Sequence, residues 1–233
     1  MLGSHERRGI DLIRDWVPGT VGGHTPFLEK MGAAALQAQL ARNGGWTAIS
    51  SQDYYEYPDR WLDDGEDIRC GDRIITAVTT PGHTNGHMIY LLPSESVMFS
   101  GDHILPHITP SIGFEPARPT YPLRDYLSSL EKVLRLPDVK LLPAHGDVTE
   151  SSHRRVHELL EHHRIRLDET LNALGDEPLP AAVVAAALSW TRRKRHLDEL
   201  NEFNQGLAVA ETSAHLDVLV LQGRAVQQVI GDV

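Results

Sequence analysis

The sequence predicts an α/β fold in which several β-strands end at one rim of a sheet and helices accompany that sheet. Runs of apolar and β-branched residues predict four strands, at Ile74–Thr80, Met88–Leu92, Val97–Ser100 and Lys140–Leu142. Apolar residues at helical spacing predict two amphipathic helices, Leu123–Leu136 and Ser151–Leu174. After Gly175 the chain is rich in helix-forming segments, so a helical part is expected to follow the sheet.

Two helices and a hairpin are predicted before these strands. Residues Glu6–Trp16 have apolar positions at helical spacing, and a second helix is predicted over residues 25–40. That second helix would begin with threonine as its cap and proline at its first position. Ile68–Cys70 and Arg73–Val78 are predicted to pair as a hairpin through a type I′ turn at Gly71-Asp72.

Three of the predicted strands end in a loop that presents a histidine or an aspartate. His83 follows the first strand, Asp102 the third and His145 the fourth, and a glycine stands beside each of them. Glycine lets the backbone turn sharply where a strand ends. Imidazole and carboxylate are ligands for zinc and similar divalent ions, so the pattern predicts a metal site at this rim. The alternative for each residue is structural, as a loop histidine bonded to the backbone or as a turn cap.

The three motifs around these residues also carry a family resemblance. The sequences TPGHTNGH, FSGDH and LPAHG, in this order, resemble the second half of the metallo-β-lactamase superfamily. The chain is most similar to the hydrolase group related to glyoxalase II, which has an appended C-terminal helical domain. The resemblance covers nearly the whole chain, and it implies a metallo-β-lactamase αββα sandwich followed by that helical domain.

The resemblance implies a role for each residue in the motifs. His83 would bind one metal ion, His145 would bind a second ion, and Asp102 would bridge the two as the catalytic carboxylate. His87 would support the site without binding metal. The metal would be one or two zinc ions, with iron or manganese as alternatives, because histidine and aspartate suit all three. Two more histidines flank the rim as candidates for contact with substrate or water: His103 and His107.

One departure from the family pattern concerns the number of ligands. The family's HxHxDH motif, which supplies most of the ligands, is absent, and the chain contains no HxH sequence. We therefore expect the sandwich to be N-terminally incomplete, with the chain beginning inside the domain. A catalytic zinc ion normally has three protein ligands. With fewer ligands we expect weak metal binding and impaired activity, and with fewer strands we expect exposed edges and self-association.

The C-terminal part is predicted to form a separate helical domain. Helices are expected at Leu179–Trp190, Leu197–Phe203 and Ala208–Gly223, followed by a short strand at Arg224–Ile230. Three helices and a β-element resemble a winged-helix module. We therefore divide the chain into a hydrolase domain, residues 1–175, and a winged-helix-like domain, residues 176–233. The cluster Arg192-Arg193-Lys194-Arg195 is either a solvated helix end or loop, or a phosphate-binding patch.

Composition narrows the function classes. The 233 residues include 41% hydrophobic and 23% charged residues, which is typical of a globular protein. A net charge of −10 argues against nucleic acid as the main partner. No apolar run approaches the roughly 20 residues of a membrane span. Cys70 is the single cysteine, so the chain can form no internal disulfide, which fits a cytoplasmic location.

The sequence thus supports three functional hypotheses. The first is a metal-dependent hydrolase that cleaves an ester, thioester or related bond of a small-molecule substrate through a metal-bound hydroxide. The second is a non-catalytic remnant or binding module, and the third is an RNA-processing nuclease, which the acidic composition disfavours. A homodimer is an expected assembly in any of these cases.

Overall fold

The structure, a computed structural model, describes residues 1–15, 25–42 and 55–228. Its helices are α1 (Arg7–Arg14), α2 (Thr25–Lys30), α3 (Ala34–Arg42), α4 (Pro122–Leu134), α5 (Ser152–Leu174), α6 (Ala181–Ala187) and α7 (Glu202–Leu221). Its strands are β1 (Leu2–Gly3), β2 (Trp61–Leu62), β3 (Glu66–Cys70), β4 (Arg73–Thr79), β5 (Met88–Leu92), β6 (Val97–Gly101) and β7 (Lys140–Pro143). Short 3₁₀ helices lie at Ser4–Glu6, Pro93–Glu95 and Leu197–Glu199.

The main sheet has five strands in the order β3-β4-β5-β6-β7. Neighbouring strands are antiparallel from β3 to β6, whereas β6 and β7 are parallel. Parallel neighbours need a crossover connection, and α4 lies in that connection. Strands β4, β6 and β7 therefore run in the same direction, and the loops that follow them open at the same rim of the sheet.

One face of this sheet forms the principal core with helices α4, α5 and α7. The fully or almost fully buried residues of this core include Ile89 and Met98 from the sheet, Tyr126 and Leu130 from α4, and Leu159 from α5. Packing of a sheet face against amphipathic helices explains the period-2 and helical apolar patterns of the sequence. The predicted α/β fold is therefore confirmed.

The opposite face of the sheet is covered less completely. Strands β1 and β2 pair in parallel as a separate two-stranded sheet, and Leu62 of β2 packs against Ala77 and Met88 of the main sheet. Farther along this face, Phe99 on β6 remains 44% exposed. An exposed aromatic side chain on a sheet is an apolar surface that another molecule can cover. The self-association predicted for this chain stays a prediction.

The N-terminal elements differ in detail from those predicted. The helix predicted over residues 25–40 is instead two helices, α2 and α3, separated at Met31-Gly32-Ala33, where Gly32 has a φ of +81°. The β3–β4 hairpin is confirmed, with Cys70 paired to Arg73. The type I′ turn is wrong, because that turn needs positive φ at both central residues and only Gly71, at +63°, has it.

The C-terminal segment also differs from its prediction. Helix α7 begins at Glu202, earlier than predicted, and only a 3₁₀ helix occupies Leu197–Glu199. The strand predicted at Arg224–Ile230 is absent over residues 224–228, and its last two residues lie outside the described part. Buried residues of α7 contribute both to the principal core and to a second core with α2, α3 and α6. The winged-helix-like domain and the division at residue 175 stay predictions.

Within the described ranges, we found no helix that combines the length and apolar composition required for a membrane-crossing segment.

Two buried histidines join α5 to α7. Nδ1 of His215 lies 2.8 Å from the backbone oxygen of Glu211, and because a carbonyl only accepts, Nδ1 carries the proton. Nε2 of His215 is then an acceptor for Nδ1 of His163, which lies 3.2 Å away. Burial lowers the pKa of His215 to about 3 and holds the pKa of His163 well below its ordinary value. Both imidazoles are therefore neutral in the folded protein.

This pair predicts loss of stability in acid. Between about pH 6.5 and pH 3 the unfolded chain binds protons at histidines that stay neutral when folded, so stability is present above pH 6.5 and is lost as pH falls. From pH 6.5 to pH 5 we expect His215 alone to cost about 2 kcal/mol. Urea unfolding at several pH values would measure this slope in the wild type, in His215→Gln and in the control His157→Gln on the exposed side of α5. A slope unchanged by His215→Gln would contradict the assignment.

Candidate metal centre

The loop between β4 and β5 holds two histidines at the rim of the sheet. The backbone N–H of Thr80 donates to the oxygen of His87 across the loop at 2.8 Å. Gly82 has a φ of +136°, and a Cβ at this position would lie 2.4 Å from Cβ of Tyr126. The loop therefore lies directly against α4 and needs glycine at that contact. This close packing fixes the position of His83, the next residue.

His83 has one nitrogen fixed by the backbone and the other directed toward Asp102. Its Nδ1 lies 2.8 Å from the backbone oxygen of Ser111, and a carbonyl oxygen can only accept, so Nδ1 carries the hydrogen. Nε2 of the neutral ring then has an available lone pair, 3.8 Å from Oδ2 of Asp102. A carbonyl that orients a histidine in this way is typical of the surroundings of metal ligands.

Asp102 lies between His83 and His145. Its Oδ1 lies 3.5 Å from Nε2 of His145, while its Oδ2 faces His83. The N–H of Ala144 donates to the oxygen of Gly101 at 3.0 Å, which holds the ends of β6 and β7 side by side. The parallel pairing of these strands therefore brings Asp102 and His145 together, although they are far apart in the sequence. The three predicted ligands meet at the same rim.

The spacing of these donor atoms fits metal binding better than direct hydrogen bonding. Hydrogen bonds from nitrogen to oxygen are about 2.7–3.2 Å long, shorter than the 3.5 and 3.8 Å observed here. Two ligands that bind one zinc ion at about 2.1 Å in tetrahedral geometry stand about 3.4 Å apart. Each imidazole and the carboxylate oxygen that faces it are therefore close to the separation of two ligands on a shared ion.

The donor set fits a metal in its chemistry but is short in number. Among residues 1–15, 25–42 and 55–228, no group of three His, Cys, Asp or Glu side chains is placed to hold one ion. Each of the two positions beside Asp102 has one imidazole and one carboxylate oxygen. Three protein ligands are usual for catalytic zinc. The described residues thus provide part of a two-metal centre.

His87 lies beneath the rim. Its Nδ1 is 2.8 Å from Oγ1 of Thr80, and a Cβ at Gly101 would lie 2.6 Å from its Nε2. Burial, together with the neighbouring His83, lowers the pKa of His87 to about 3, so the ring is neutral. His87 therefore fills the space under the glycine that precedes Asp102, a position from which it can orient the rim.

His103 and His107 lie at different depths. His103 is fully buried, with its ring 5.0 Å from that of Tyr126 and 5.7 Å from that of His87, so solvent does not reach it. His107 is exposed at the outer rim, where its Nε2 lies 3.5 Å from Oδ2 of Asp147. Of the two, only His107 is placed to meet a molecule that arrives from solvent.

The sequence interpretation did not single out Glu115, which is buried in the loop that follows β6. Burial raises the pKa of its carboxyl to about 7, the carboxylate of Glu6 adds to this effect, and the backbone N–H of Asn85 opposes it. Asn85 belongs to the loop of His83, so Glu115 lies near the candidate centre. A single glutamate in a proline-containing loop carries no pattern in the sequence that would have identified it.

Comparison with known proteins agrees with this geometry. The profile of the metallo-beta-lactamase superfamily matches residues 11–145. A metallo-beta-lactamase family protein from Thermus thermophilus superposes with a TM-score of 0.75 at 25% identity, over 96% of this chain and 66% of its own. The alternation of strands and helices around the rim is therefore shared with a solved structure.

Curated relatives match over about half of this chain. The beta-lactamase-like protein 2 homolog of Caenorhabditis elegans is 33% identical over 114 residues, which are 49% of this chain and 36% of the relative. A protein of Aspergillus fumigatus named atrochrysone carboxyl ACP thioesterase is 33% identical over 111 residues, 48% of this chain and 33% of the relative. This chain thus spans about a third of the length of these relatives. From the match over residues 11–145 and the shared fold, the chain belongs to the metallo-β-lactamase superfamily.

Proposed function

We propose that this chain acts in metal-dependent hydrolysis of a thioester or ester bond. The observation that carries the proposal is the position of Asp102, with one carboxylate oxygen facing His83 and the other facing His145. A carboxylate between two imidazoles, at distances too long for hydrogen bonds, is a suitable arrangement for bridging two cations.

In this proposal the side chains of the rim have separate tasks. His83 and His145 would each hold one ion, and Asp102 would hold both. A bound divalent ion supplies an activated water and polarises the bond to be cleaved. The backbone oxygen of Ser111 keeps the Nε2 lone pair of His83 available, and the buried, neutral His87 keeps positive charge away from the ions. The remaining metal positions would be filled by water or by groups outside the described residues.

A thioester is the favoured bond for two reasons. The motifs resemble the group related to glyoxalase II, and one matched relative is named a thioesterase for an acyl carrier protein. The matched segment is 33% of that relative, so the activity of this chain is inferred from the rim residues rather than transferred from that name.

The small number of ligands favours a second candidate, a binding module without catalysis. Two side-chain donors for each ion would bind metal weakly, and a weakly held ion gives little activated water at physiological concentrations. Nuclease activity has no comparable support, because a net charge of −10 opposes binding to RNA.

Thiol release from an acyl thioester tests the proposal. Cys70 is exposed and would react with a thiol reagent, so the assay uses a Cys70→Ser background. With added zinc or manganese we expect thiol release that stops when a chelator removes the metal. We expect the His83→Ala/His145→Ala variant to lose this activity by a factor of about 100 or more, since each histidine would hold an ion.

The control is His153→Ala/His157→Ala, which removes two histidines from α5 and leaves the rim unchanged. Equal activity in the rim variant and the control would rule out the proposed centre. Metal bound at the rim without cleavage of thioester or ester would instead support the binding module.

A further inference from the structure

The basic cluster of the sequence lies in a tight, well-anchored turn. Trp190 and Arg195 exchange two backbone hydrogen bonds of 2.7 Å, which close a four-residue loop between them. Nε1 of Trp190 donates to the oxygen of Ala185 at 2.9 Å, and the guanidinium of Arg166 stacks on the Trp190 ring at 4.2 Å. The turn is therefore held in one place by its base.

The four cations of this turn have no anionic partner in the described parts of the chain. Arg192, Arg193, Lys194 and Arg195 are exposed, and no carboxylate of the described residues lies within 4.0 Å of their charged nitrogens. Adjacent like charges repel each other, and this chain, with ten excess acidic charges, offers many carboxylates that could have compensated them. An anion that binds from solution would relieve this repulsion.

The backbone of the turn is also unusual. Thr191 and Lys194 have φ angles of +62° and +53°, and both are non-glycine residues in the left-handed region. Residues of this kind persist where the surrounding structure fixes them, and they are concentrated at ligand-binding sites. Here the fixed backbone presents the cationic side chains together, so little ordering would be needed when an anion binds.

The turn touches the rim of the candidate metal centre. Arg192 donates to the backbone oxygen of His107, and His107 in turn lies 3.5 Å from Asp147, two residues beyond His145. Two apolar side chains beside this contact are exposed, Ile108 by 57% and Val148 by 50%. A molecule that extends from the metal centre to the turn would therefore pass an apolar surface and end among cations.

We propose that the Trp190–Arg195 turn binds the phosphate end of a pantetheine thioester, while the thioester carbonyl lies at the Asp102 rim. The inference rests on the proposed thioester hydrolysis and identifies the substrate class of that site. A pantetheine arm is uncharged and ends in phosphate, which matches an apolar path that leads to cations. Arginine and lysine bind phosphate through charge-assisted hydrogen bonds.

The observations favour this ligand over RNA. A nucleic-acid surface needs cations spread along the path of many phosphates, and it commonly adds aromatic side chains on which bases stack. The cations here are confined to one turn, and the exposed side chains next to it are aliphatic. RNA is therefore kept as an outcome of the test.

Direct binding tests the inference without any need for turnover. The probes are coenzyme A and pantetheine, the latter lacking phosphate, each measured by titration calorimetry at low salt. We expect Arg193→Glu/Lys194→Glu to weaken binding of coenzyme A by a factor of about ten or more, from the loss of two charge-assisted contacts. Pantetheine should bind the variant and the wild type equally. The matched control is Arg69→Glu/Arg135→Glu, which makes the same change of charge at exposed positions on the far edge and far end of the sheet.

Phosphopantetheine can come from coenzyme A or from a carrier protein, and a second arm separates these sources. A carrier protein with its phosphopantetheine group is compared with the same protein lacking it. Preference for the modified carrier over coenzyme A, lost in the turn variant, supports the inference and identifies the carrier as the source. Coenzyme A that binds the turn variant as well as the wild type overturns the inference, as does absence of binding to both probes. Tighter binding of a single-stranded RNA, weakened by the same variant, also overturns it.

Failure of this inference is distinguishable from failure of the proposed function. Thioester hydrolysis with unchanged binding in the turn variant would leave the function intact and remove the role of the turn. Binding of coenzyme A at the turn without hydrolysis would do the reverse.

Discussion

Replacement of Asp102 by asparagine is expected to remove metal from both positions of the rim. Asp102 faces both His83 and His145, so this single change weakens two sites. Asparagine keeps the shape of the side chain but loses the negative charge and one oxygen donor. Loss of an indirect partner of a metal ligand already costs about 10–100-fold in affinity, so we expect about 100-fold or more for a bridging ligand.

Metal content by elemental analysis after equilibration with zinc measures this effect. The matched control is Asp147→Asn, which removes an exposed carboxylate from the same rim without touching either position. His83→Ala should remove one of the two ions and leave the other weakened. An Asp102→Asn protein that retains the same amount of zinc as the wild type would show that the carboxylate does not bridge the ions.

Replacement of Gly82 by alanine is expected to be the most destabilising single change near the rim. Its φ of +136° is unfavourable for any residue with a side chain, and the new Cβ would lie 2.5 Å from Cα and 2.7 Å from the backbone N of Tyr126. These contacts are with the backbone of α4, which cannot move aside as a flexible side chain can. We expect a loss of about 3 kcal/mol or more from strain and overlap together.

Urea or thermal unfolding measures this loss, with Gly71→Ala as the control. Gly71 also has a positive φ, +63°, but nothing lies within 4 Å of its added Cβ. The control therefore carries the backbone strain alone, about 1–2 kcal/mol. Equal losses in the two variants would show that close packing of the His83 loop on α4 contributes nothing.

The rim could be predicted from the sequence because its signals are local. Each ligand candidate follows a strand pattern directly and has a glycine beside it, as at Gly82-His83 and Gly101-Asp102. Strands that run in one direction place such loops at one edge, so the prediction needed only the direction of β4, β6 and β7. The strand runs themselves were recognisable because one face of the sheet is buried and its residues alternate with less buried ones.

Features that depend on distant contacts could not be predicted. The contact between His163 and His215 joins residues 52 positions apart, and no spacing in the sequence relates them. The burial of Glu115 depends on how its loop packs near Asn85. The break between α2 and α3 at Gly32 follows from packing as well, since a Cβ at Gly32 would lie 2.5 Å from Cβ of Pro180. Tertiary packing overrides local propensity at such positions.

The basic turn illustrates a signal that the sequence left open. Four consecutive cations were compatible both with a solvated loop and with a phosphate-binding patch. The structure adds the contact from Arg192 to His107, which places these charges beside the candidate centre. Position in the fold, rather than composition, is what relates the cluster to a substrate.

The most direct test of the central claim is a crystal structure of the zinc-loaded chain with anomalous scattering at the zinc edge. The account predicts two anomalous peaks, one between Nε2 of His83 and Oδ2 of Asp102 and one between Nε2 of His145 and Oδ1 of Asp102. Each peak should lie about 2.0–2.2 Å from its two donors. Peaks confined to other histidines, such as those on the exposed side of α5, with none bonded to Asp102, would contradict the account.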